Sequence, residues 1–162
     1  MARDLHQSDP VAQGLRLDGV RVLVVEDDED TREVLTLGLQ LQGAEVLAVG
    51  SAREALGSLE AFAPAVILSD IGLPDEDGLS MMRKLRRLPS ACGRIPAAAV
   101  TAFTLSDDGD EPIRAGFQRH FRKPVETRTL FDAVAELAQL GVVERRVRSR
   151  EDDLIEVDRP AF

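Results

Sequence analysis

Each of five polar residues stands at the end of a stretch of apolar residues, and together their types suit metal and phosphoryl chemistry. In an open sheet of parallel strands, binding sites form beyond the carboxyl ends of the strands. If the apolar stretches are such strands, they bring three carboxylates, one hydroxyl and one ammonium group to the same edge. The residues concerned are Glu26, Asp27, Asp70, Thr101 and Lys123.

The three carboxylates predict a divalent cation. Crowding Glu26, Asp27 and Asp70 together is opposed by like-charge repulsion unless a cation or a raised pKa relieves it. Mg²⁺ takes oxygen ligands and keeps several waters, so it suits two carboxylates and a backbone carbonyl. Thr101 and Lys123 would then supply the hydrogen-bond donor and the compact positive charge that a phosphoryl group needs.

Asp70 closes the stretch AVILSD, and the residues IGLP that follow it end a strand. A carboxylate on a rigid, buried strand is an accurately placed nucleophile toward phosphorus. The cation and Lys123 would stabilise charge on the transferring group and in the resulting aspartyl phosphate. The break at residues 72–74 leaves the backbone open, so that a carbonyl can face the ion.

Taken singly, these residues also have structural explanations. Glu29 and Asp30, which continue the acidic stretch EDDED, could cap the next helix, where negative charge is favourable. Thr101 could make a local backbone hydrogen bond, and Lys123 could be a surface charge before a turn proline. The combination at one sheet edge is what favours a functional site.

Composition excludes several classes of function. The 162 residues include 29 acidic and 20 basic ones, and the resulting charge of −9 argues against direct nucleic-acid binding. A single cysteine, Cys92, excludes an internal disulfide and is expected to be a loop residue. No apolar stretch approaches membrane-spanning length, and residues 1–10 have no signal-peptide character, so a cytoplasmic protein without membrane contact is expected.

Apolar stretches alternate with segments of helical character, which predicts an α/β fold. The predicted strands are residues 20–26, 44–49, 65–70 and 95–102, with a weaker fifth at 119–123. Helices are predicted over residues 30–43, over 51–62 with Ser51 as N-cap, after Gly78, and over 125–141 with Gly141 as its end. Gly109 and Pro112 interrupt a further helical segment, so there we expect a short helix beginning near Glu111.

These elements predict one doubly wound domain with helices on both faces of a parallel sheet. We expect a loose arm at residues 1–18, the domain at residues 19–141 and a charged tail at residues 142–162. The tail has a basic block followed by an acidic one and is too short for an effector domain. It is read as a solvated tail or short extra helix, or alternatively as a partner-docking segment.

Four motifs, in order, resemble the receiver domain of two-component response regulators. They are VLVVEDD, SDIGLPDEDG, AAAVTAF and HFRKPV, and the resemblance runs from about residue 20 to residue 140. These motifs are similar to those of receivers in hybrid histidine kinases. The resemblance implies a flavodoxin-like, five-stranded parallel sheet in the order 2-1-3-4-5. It also implies a signalling module rather than an enzyme.

The resemblance implies a role for each matching position. Asp70 would be the phospho-acceptor, and its donor a histidine kinase or a histidine phosphotransfer protein. Asp27 would bind Mg²⁺ directly, Glu26 would act through water, and the backbone carbonyl of Gly72 would be a further ligand. Lys123 would pair with the phosphoryl group, and the peptide bond from it to the following proline resembles one that is cis in this family.

The resemblance also implies a conformational switch. Thr101 would follow the phosphoryl group and vacate space for His120, which stands where the family often has tyrosine or phenylalanine. His120 is alternatively a half-buried strand residue without a role. The output would be an unknown downstream protein or a homodimer through the fourth helix, fifth strand and fifth helix. The bulk and apolar character of Phe103 disfavour positioning a hydrolytic water, and Gly72 has no side chain for that task. This predicts slow autodephosphorylation, which a Phe103→Glu substitution should speed.

Two other functions share part of this residue pattern. A haloacid-dehalogenase-type phosphatase also forms an aspartyl phosphate, but its chemistry wants a second acid two residues after the nucleophile, where this chain has Gly72. A degenerate receiver would be a protein-interaction module that never takes phosphate. The complete set of Asp70, Thr101 and Lys123 argues against that second alternative.

Overall fold

The computed structural model describes residues 16–102 and 109–156, with side chains as far as residue 149. Phe103, and with it the prediction of slow dephosphorylation, lies outside the described residues. Five parallel strands form one sheet in the order β2-β1-β3-β4-β5, as the family resemblance implied. The strands are β1 (Arg21–Val25), β2 (Glu45–Val49), β3 (Val66–Asp70), β4 (Ala97–Thr101) and β5 (Arg119–Arg122).

Helices lie between the strands and after the last one. They are α1 (Glu29–Leu41), α2 (Ala52–Phe62), α3 (Gly78–Arg86), α4 (Glu111–Ala115) and α5 (Thr127–Glu156). Ser51 caps α2 as predicted, with its hydroxyl accepting a hydrogen bond from the Glu54 amide. The short α4, with Pro112 in its first turn, also matches the prediction.

Alternation along the strands divides the core into two layers. Leu23 and Ile67 belong to the layer that packs on α2 and α3, whereas Val22, Val24 and Leu68 belong to the layer that packs on α1 and α5. Because both faces are covered, every residue of β3 is buried. The strand that ends in Asp70 is therefore held rigidly from both sides.

Two predicted boundaries were wrong. Leu17, assigned to the loose arm, is fully buried, and its amide donates to the carbonyl of Gln42, so the ordered fold already includes it. Gly141 does not end α5, which continues to Glu156. An added Cβ at Gly141 would lie 3.3 Å from the Pro96 side chain, so this glycine serves close packing rather than helix termination. The rest of the division into arm, domain and tail stays a prediction.

Two further features concern Cys92 and the apolar character of the helices. Cys92, expected in a loop, lies in a 3-10 helix over Ala91–Arg94 and is half-buried. Among the helices of residues 16–102 and 109–156, none has both the length and the apolar character needed to cross a membrane.

Candidate metal and phosphoryl site

The carboxyl ends of β1 and β3 bring three acids together. In the register of these neighbouring strands Val25 is paired with Ser69, so the residues that follow, Glu26 and Asp70, lie side by side. One carboxylate oxygen each from Glu26, Asp27 and Asp70 lies within 4.8 Å of the others. Glu26 and Asp70 are buried, whereas Asp27 is exposed. The acidic cluster predicted from the sequence is therefore present.

Lys123 reaches this acidic cluster from the end of β5. Its Nζ atom lies 3.3 Å from Asp70 Oδ2 and 3.3 Å from Glu26 Oε2. Its backbone amide donates to the carbonyl of Thr101 at 2.8 Å, which fixes the lysine against the end of β4. The Lys123–Pro124 peptide bond is cis, as the sequence resemblance implied.

Burial and charge together set the electrostatics of the cluster. Burial raises the pKa of Glu26, and the negative charge of Asp70 adds to this, against a hydrogen bond from the Asp28 amide and the charge of Lys123. Burial lowers the pKa of Lys123, but Asp70 and Glu26 together outweigh it and leave that pKa raised. The lysine stays charged at neutral pH, yet a single ammonium cannot balance three carboxylates.

The donor set fits Mg²⁺. Carboxylate oxygens are hard ligands, and a small dication with several bound waters needs only a few of them from the protein. Two of the three acids are buried, so their mutual repulsion is poorly screened by solvent. A divalent cation would relieve it.

Local hydrogen bonds hold the segment that follows Asp70. The Gly72 amide donates to Asp70 Oδ1 at 3.1 Å, which orients the carboxylate. The amides of Leu73 and Gly78 both donate to the carbonyl of Ile71, at 3.0 and 2.7 Å. The segment is thus a tight turn directly beside Asp70, and the Gly72 carbonyl as a metal ligand stays a prediction.

Thr101 and His120 lie on neighbouring strands near the acidic cluster. Thr101 is fully buried at the end of β4. His120 is half-buried on β5 and is paired in register with Ala99. Their coupled movement as a switch stays a prediction.

Arg32 is a residue that the sequence analysis missed. Its guanidinium Nη1 donates to the carbonyl of Glu26 at 2.9 Å and to that of Asp27 at 3.4 Å. A cation on the first turn of α1 thereby fixes the backbone from which both acids project. An arginine shortly after an acidic stretch is a signal for this contact, but a weak one.

A groove leads to Asp70 between α1 and the start of α5. Its volume is about 630 Å³, and its walls include Thr31 and Val34 of α1, together with Pro124 and Leu130. Asp70 and Lys123 also line the groove. A side chain of another protein can therefore approach the acid from this side.

A family model for the response regulator receiver domain matches residues 22–135, the same region that carries the sheet and the acidic cluster. The chain belongs to the receiver family. Receivers are signalling modules that accept a phosphoryl group from histidine kinases or phosphotransfer proteins and bind Mg²⁺ at an acidic site.

Relatives of this receiver include proteins of different architecture. It is 38% identical over 116 residues to the response regulator protein FleR of Pseudomonas aeruginosa, a match that covers 71% of this chain and 24% of FleR. It is 34% identical over 137 residues to the sensor protein TorS of Escherichia coli, covering 82% of this chain and 14% of TorS. The chain therefore spans only a small part of either protein.

Solved receiver structures share the fold. A CheY-like receiver domain protein from Methanospirillum hungatei superposes with a TM-score of 0.71 at 26% identity, covering 78% of this chain and 99% of that one. The receiver domain of the sensor histidine kinase PA1611 from Pseudomonas aeruginosa, which holds a magnesium ion in its active-site cleft, gives 0.67 at 29% identity. That match covers 75% of this chain and 98% of the other.

Proposed function

We propose that this receiver accepts a phosphoryl group on Asp70 from the phosphohistidine of a histidine kinase or histidine phosphotransfer protein. The observation that carries the proposal is the position of Asp70. Its carboxylate ends a strand that is buried on both faces, lies in a cluster of three acids, and has an ammonium group 3.3 Å from Oδ2. A nucleophile, a cation site and a fixed positive charge thus converge at one point.

The transfer exchanges one bond to phosphorus for another. One carboxylate oxygen of Asp70 forms the new O–P bond as the P–N bond of the donor phosphohistidine breaks. The bonding electron pair leaves with the imidazole nitrogen of the donor, which remains a neutral imidazole or takes a proton from solvent. Lys123, already 3.3 Å from the acceptor carboxylate, stabilises the negative charge of the phosphoryl oxygens.

Asp27, Asp70 and the Gly72 carbonyl would hold Mg²⁺, with Glu26 acting through water. When bound, the ion neutralises charge on the transferring group. Arg32 keeps the carbonyls of Glu26 and Asp27 in place, so that the two acids are already oriented. Lys123 shares its charge between Glu26 and Asp70 until a phosphoryl group competes for it.

The phosphoryl group would then bias a two-state surface. Thr101 would move toward the new phosphate oxygens, and His120 would take the space that it leaves. The surface around α4, β5 and α5 would bind an unidentified downstream protein or a second copy of the chain. We propose a cytoplasmic signalling role of this kind, without enzymatic turnover of a substrate or contact with nucleic acid.

Acetyl phosphate labelling tests the proposal. The wild-type chain should gain one phosphoryl group when Mg²⁺ is present and almost none in EDTA, and mass mapping should place the group on Asp70. Asp70→Asn should abolish labelling and keep the circular dichroism spectrum, and Asp27→Ala should weaken Mg²⁺ binding. Labelling elsewhere, or none with Mg²⁺ in a folded wild type, contradicts the assignment and favours a degenerate, phosphate-independent receiver.

A further inference from the structure

Asp75 connects the loop after the acceptor strand to a different helix. Its Oδ1 atom accepts a hydrogen bond from the Ala52 amide at 3.1 Å, and its Oδ2 atom accepts one from the Arg53 amide at 2.9 Å. Both amides belong to the first turn of α2. The two bonds therefore join segments that are more than twenty residues apart in the chain.

The loop that Asp75 holds is the one that carries the proposed metal ligands. It runs from Asp70, through Gly72, to the start of α3. At its far end Asp77 caps α3 through the Ser80 amide at 2.7 Å, and the Gly78 amide bonds to the Ile71 carbonyl. Asp75 anchors the middle of the loop on the opposite side, against α2.

Helix α2 does not depend on Asp75 for its N-cap. Ser51 already fills that position, because its hydroxyl accepts from the Glu54 amide at 3.2 Å. The carboxylate of Asp75 takes the two preceding amides, which a serine in the cap position does not reach. Two side chains thus satisfy one helix end, and only Asp75 also restrains the acceptor loop.

The segment before α2 is itself bonded to the acidic cluster. The Glu26 amide donates to the carbonyl of Val49, the last residue of β2, at 3.0 Å. Gly50 and Ser51 then lead into α2. Asp75 therefore closes a ring of contacts that joins the end of β1, the start of α2 and the loop after β3.

We infer that Asp75 is a positioning residue for the Mg²⁺ site, an inference that rests on the proposed function. It restrains the loop so that Gly72 and Asp70 keep one arrangement before the ion arrives. Ordering a loop on binding costs conformational entropy, and a loop that is already ordered does not incur this cost again. Asp75 is not in the cluster Glu26, Asp27 and Asp70, so it acts through the loop rather than on the ion.

Mg²⁺ titration of the full chain tests this inference, with Ser51→Ala as the matched control. Outer partners of metal ligands typically change affinity by about tenfold or more. Asp75→Ala should therefore raise the Mg²⁺ dissociation constant by about tenfold. Asp75→Asn keeps one acceptor oxygen, so its Mg²⁺ dissociation constant should lie between those of the wild type and Asp75→Ala. Ser51→Ala removes a cap from the same helix without touching the loop, and should leave the dissociation constant within about twofold.

Two further readouts separate positioning from general destabilisation. In Asp75→Ala the rate of acetyl phosphate labelling should drop at limiting Mg²⁺ and return to the wild-type value at saturating Mg²⁺. Without Mg²⁺, the amides of Gly72 and Leu73 should exchange with deuterium faster in Asp75→Ala than in Ser51→Ala.

Each outcome bears on one claim. Equal weakening of Mg²⁺ binding by Ser51→Ala and Asp75→Ala would reduce Asp75 to a helix cap and overturn the inference. Unchanged loop exchange in Asp75→Ala would also overturn it. A folded wild-type chain that binds no Mg²⁺ would contradict the proposed function instead, and the exchange measurement would still decide whether Asp75 restrains the loop.

Discussion

At the residue scale, the acidic cluster is a compromise between folding and chemistry. Glu26 and Asp70 are buried beside each other, and Lys123 forms ion pairs with both of them. A buried acid without full compensation opposes folding, as the raised pKa of Glu26 shows. The same excess of negative charge is what selects a divalent cation, so the feature that weakens the isolated fold also defines the site.

Asp75 predicts a pH dependence of stability. Hydrogen bonds from backbone amides, first that of Arg53, lower its pKa in the folded chain. Its stabilising effect is therefore complete above the unfolded-state pKa of about 3.9 and is lost as pH falls through the lower folded-state pKa. In EDTA, Asp75→Asn should lose less free energy of unfolding than the wild type on acidification from neutral pH to about pH 3.

Urea unfolding at a series of pH values measures this difference. Ser51→Ala keeps Asp75, so its stability should fall in parallel with that of the wild type. If the free energy of unfolding of the wild type and of Asp75→Asn fell in parallel with pH, the two hydrogen bonds that Asp75 accepts would not depend on its charge.

Some residues of the site could be predicted from the sequence, and others could not. Glu26, Asp27, Asp70 and Lys123 could be predicted because each follows an apolar stretch, and parallel strands end at a common edge. Asp75 could not, because its partners are backbone amides of α2, and backbone groups carry no sequence signal. Arg32 was missed for the same reason, since it binds carbonyl oxygens.

At the element scale, α3 approaches the end of β3 so closely that only glycine fits at its first residue. A Cβ on Gly78 would lie 2.5 Å from the Asp70 carbonyl oxygen and 2.9 Å from the Ile71 Cα, and both atoms are backbone. Gly78→Ala should therefore lower the free energy of unfolding by about 2 kcal/mol, because neither strand nor helix can shift cheaply.

Gly57 provides the control for this substitution. It lies in α2 with no atom within 4 Å of an added Cβ, so Gly57→Ala should raise stability by up to about 1 kcal/mol through helix propensity. Denaturant unfolding of both variants measures the contrast. An equal change in the free energy of unfolding for the two variants would mean that the structure around Gly78 accommodates the added methyl group without loss of stability.

Helix α1 presents an apolar face beside the groove that leads to Asp70. Val34, Leu37 and Leu41 are 59, 53 and 81% exposed and follow helical spacing, so they share one side of the helix. Under the proposed function, a phosphohistidine donor needs a surface to bind while its imidazole ring reaches Asp70 through the groove. With a phosphotransfer protein that phosphorylates the wild type as donor, Val34→Asp should slow phosphotransfer about tenfold. A change of this size corresponds to loss of one interface contact.

Acetyl phosphate separates docking from chemistry for this variant. It needs no protein surface, so Val34→Asp should label with it at the wild-type rate. Val142, 42% exposed on α5, serves as the control position, and Val142→Asp should change neither reaction. A loss of acetyl phosphate labelling in Val34→Asp would place the defect in the site rather than in docking.

Elements were easier to predict than their ends. Strands β3 and β4 are buried along their whole length, so they stand out as apolar stretches. Even the short α4 follows from the position of Pro112. The end of α5 was missed because a glycine that stops a helix and one that allows close packing look alike in a sequence. Only the contact with Pro96 distinguishes the two cases, and this residue lies far from Gly141 along the chain.

At the scale of the whole molecule, Mg²⁺ should stabilise the fold, because its proposed ligands lie at the ends of separate strands that meet only in the folded chain. A ligand that binds only the folded state adds about 2.7 kcal/mol at a hundredfold excess over its dissociation constant. For a chain of this size, the midpoint of thermal unfolding should rise by roughly 5 to 10 °C. Thermal unfolding followed by circular dichroism, with MgCl₂ against NaCl at equal ionic strength, measures the shift. Asp27→Ala, altered at an exposed ligand, should lose most of it, and an equal shift in that variant or with NaCl would show charge screening rather than a site.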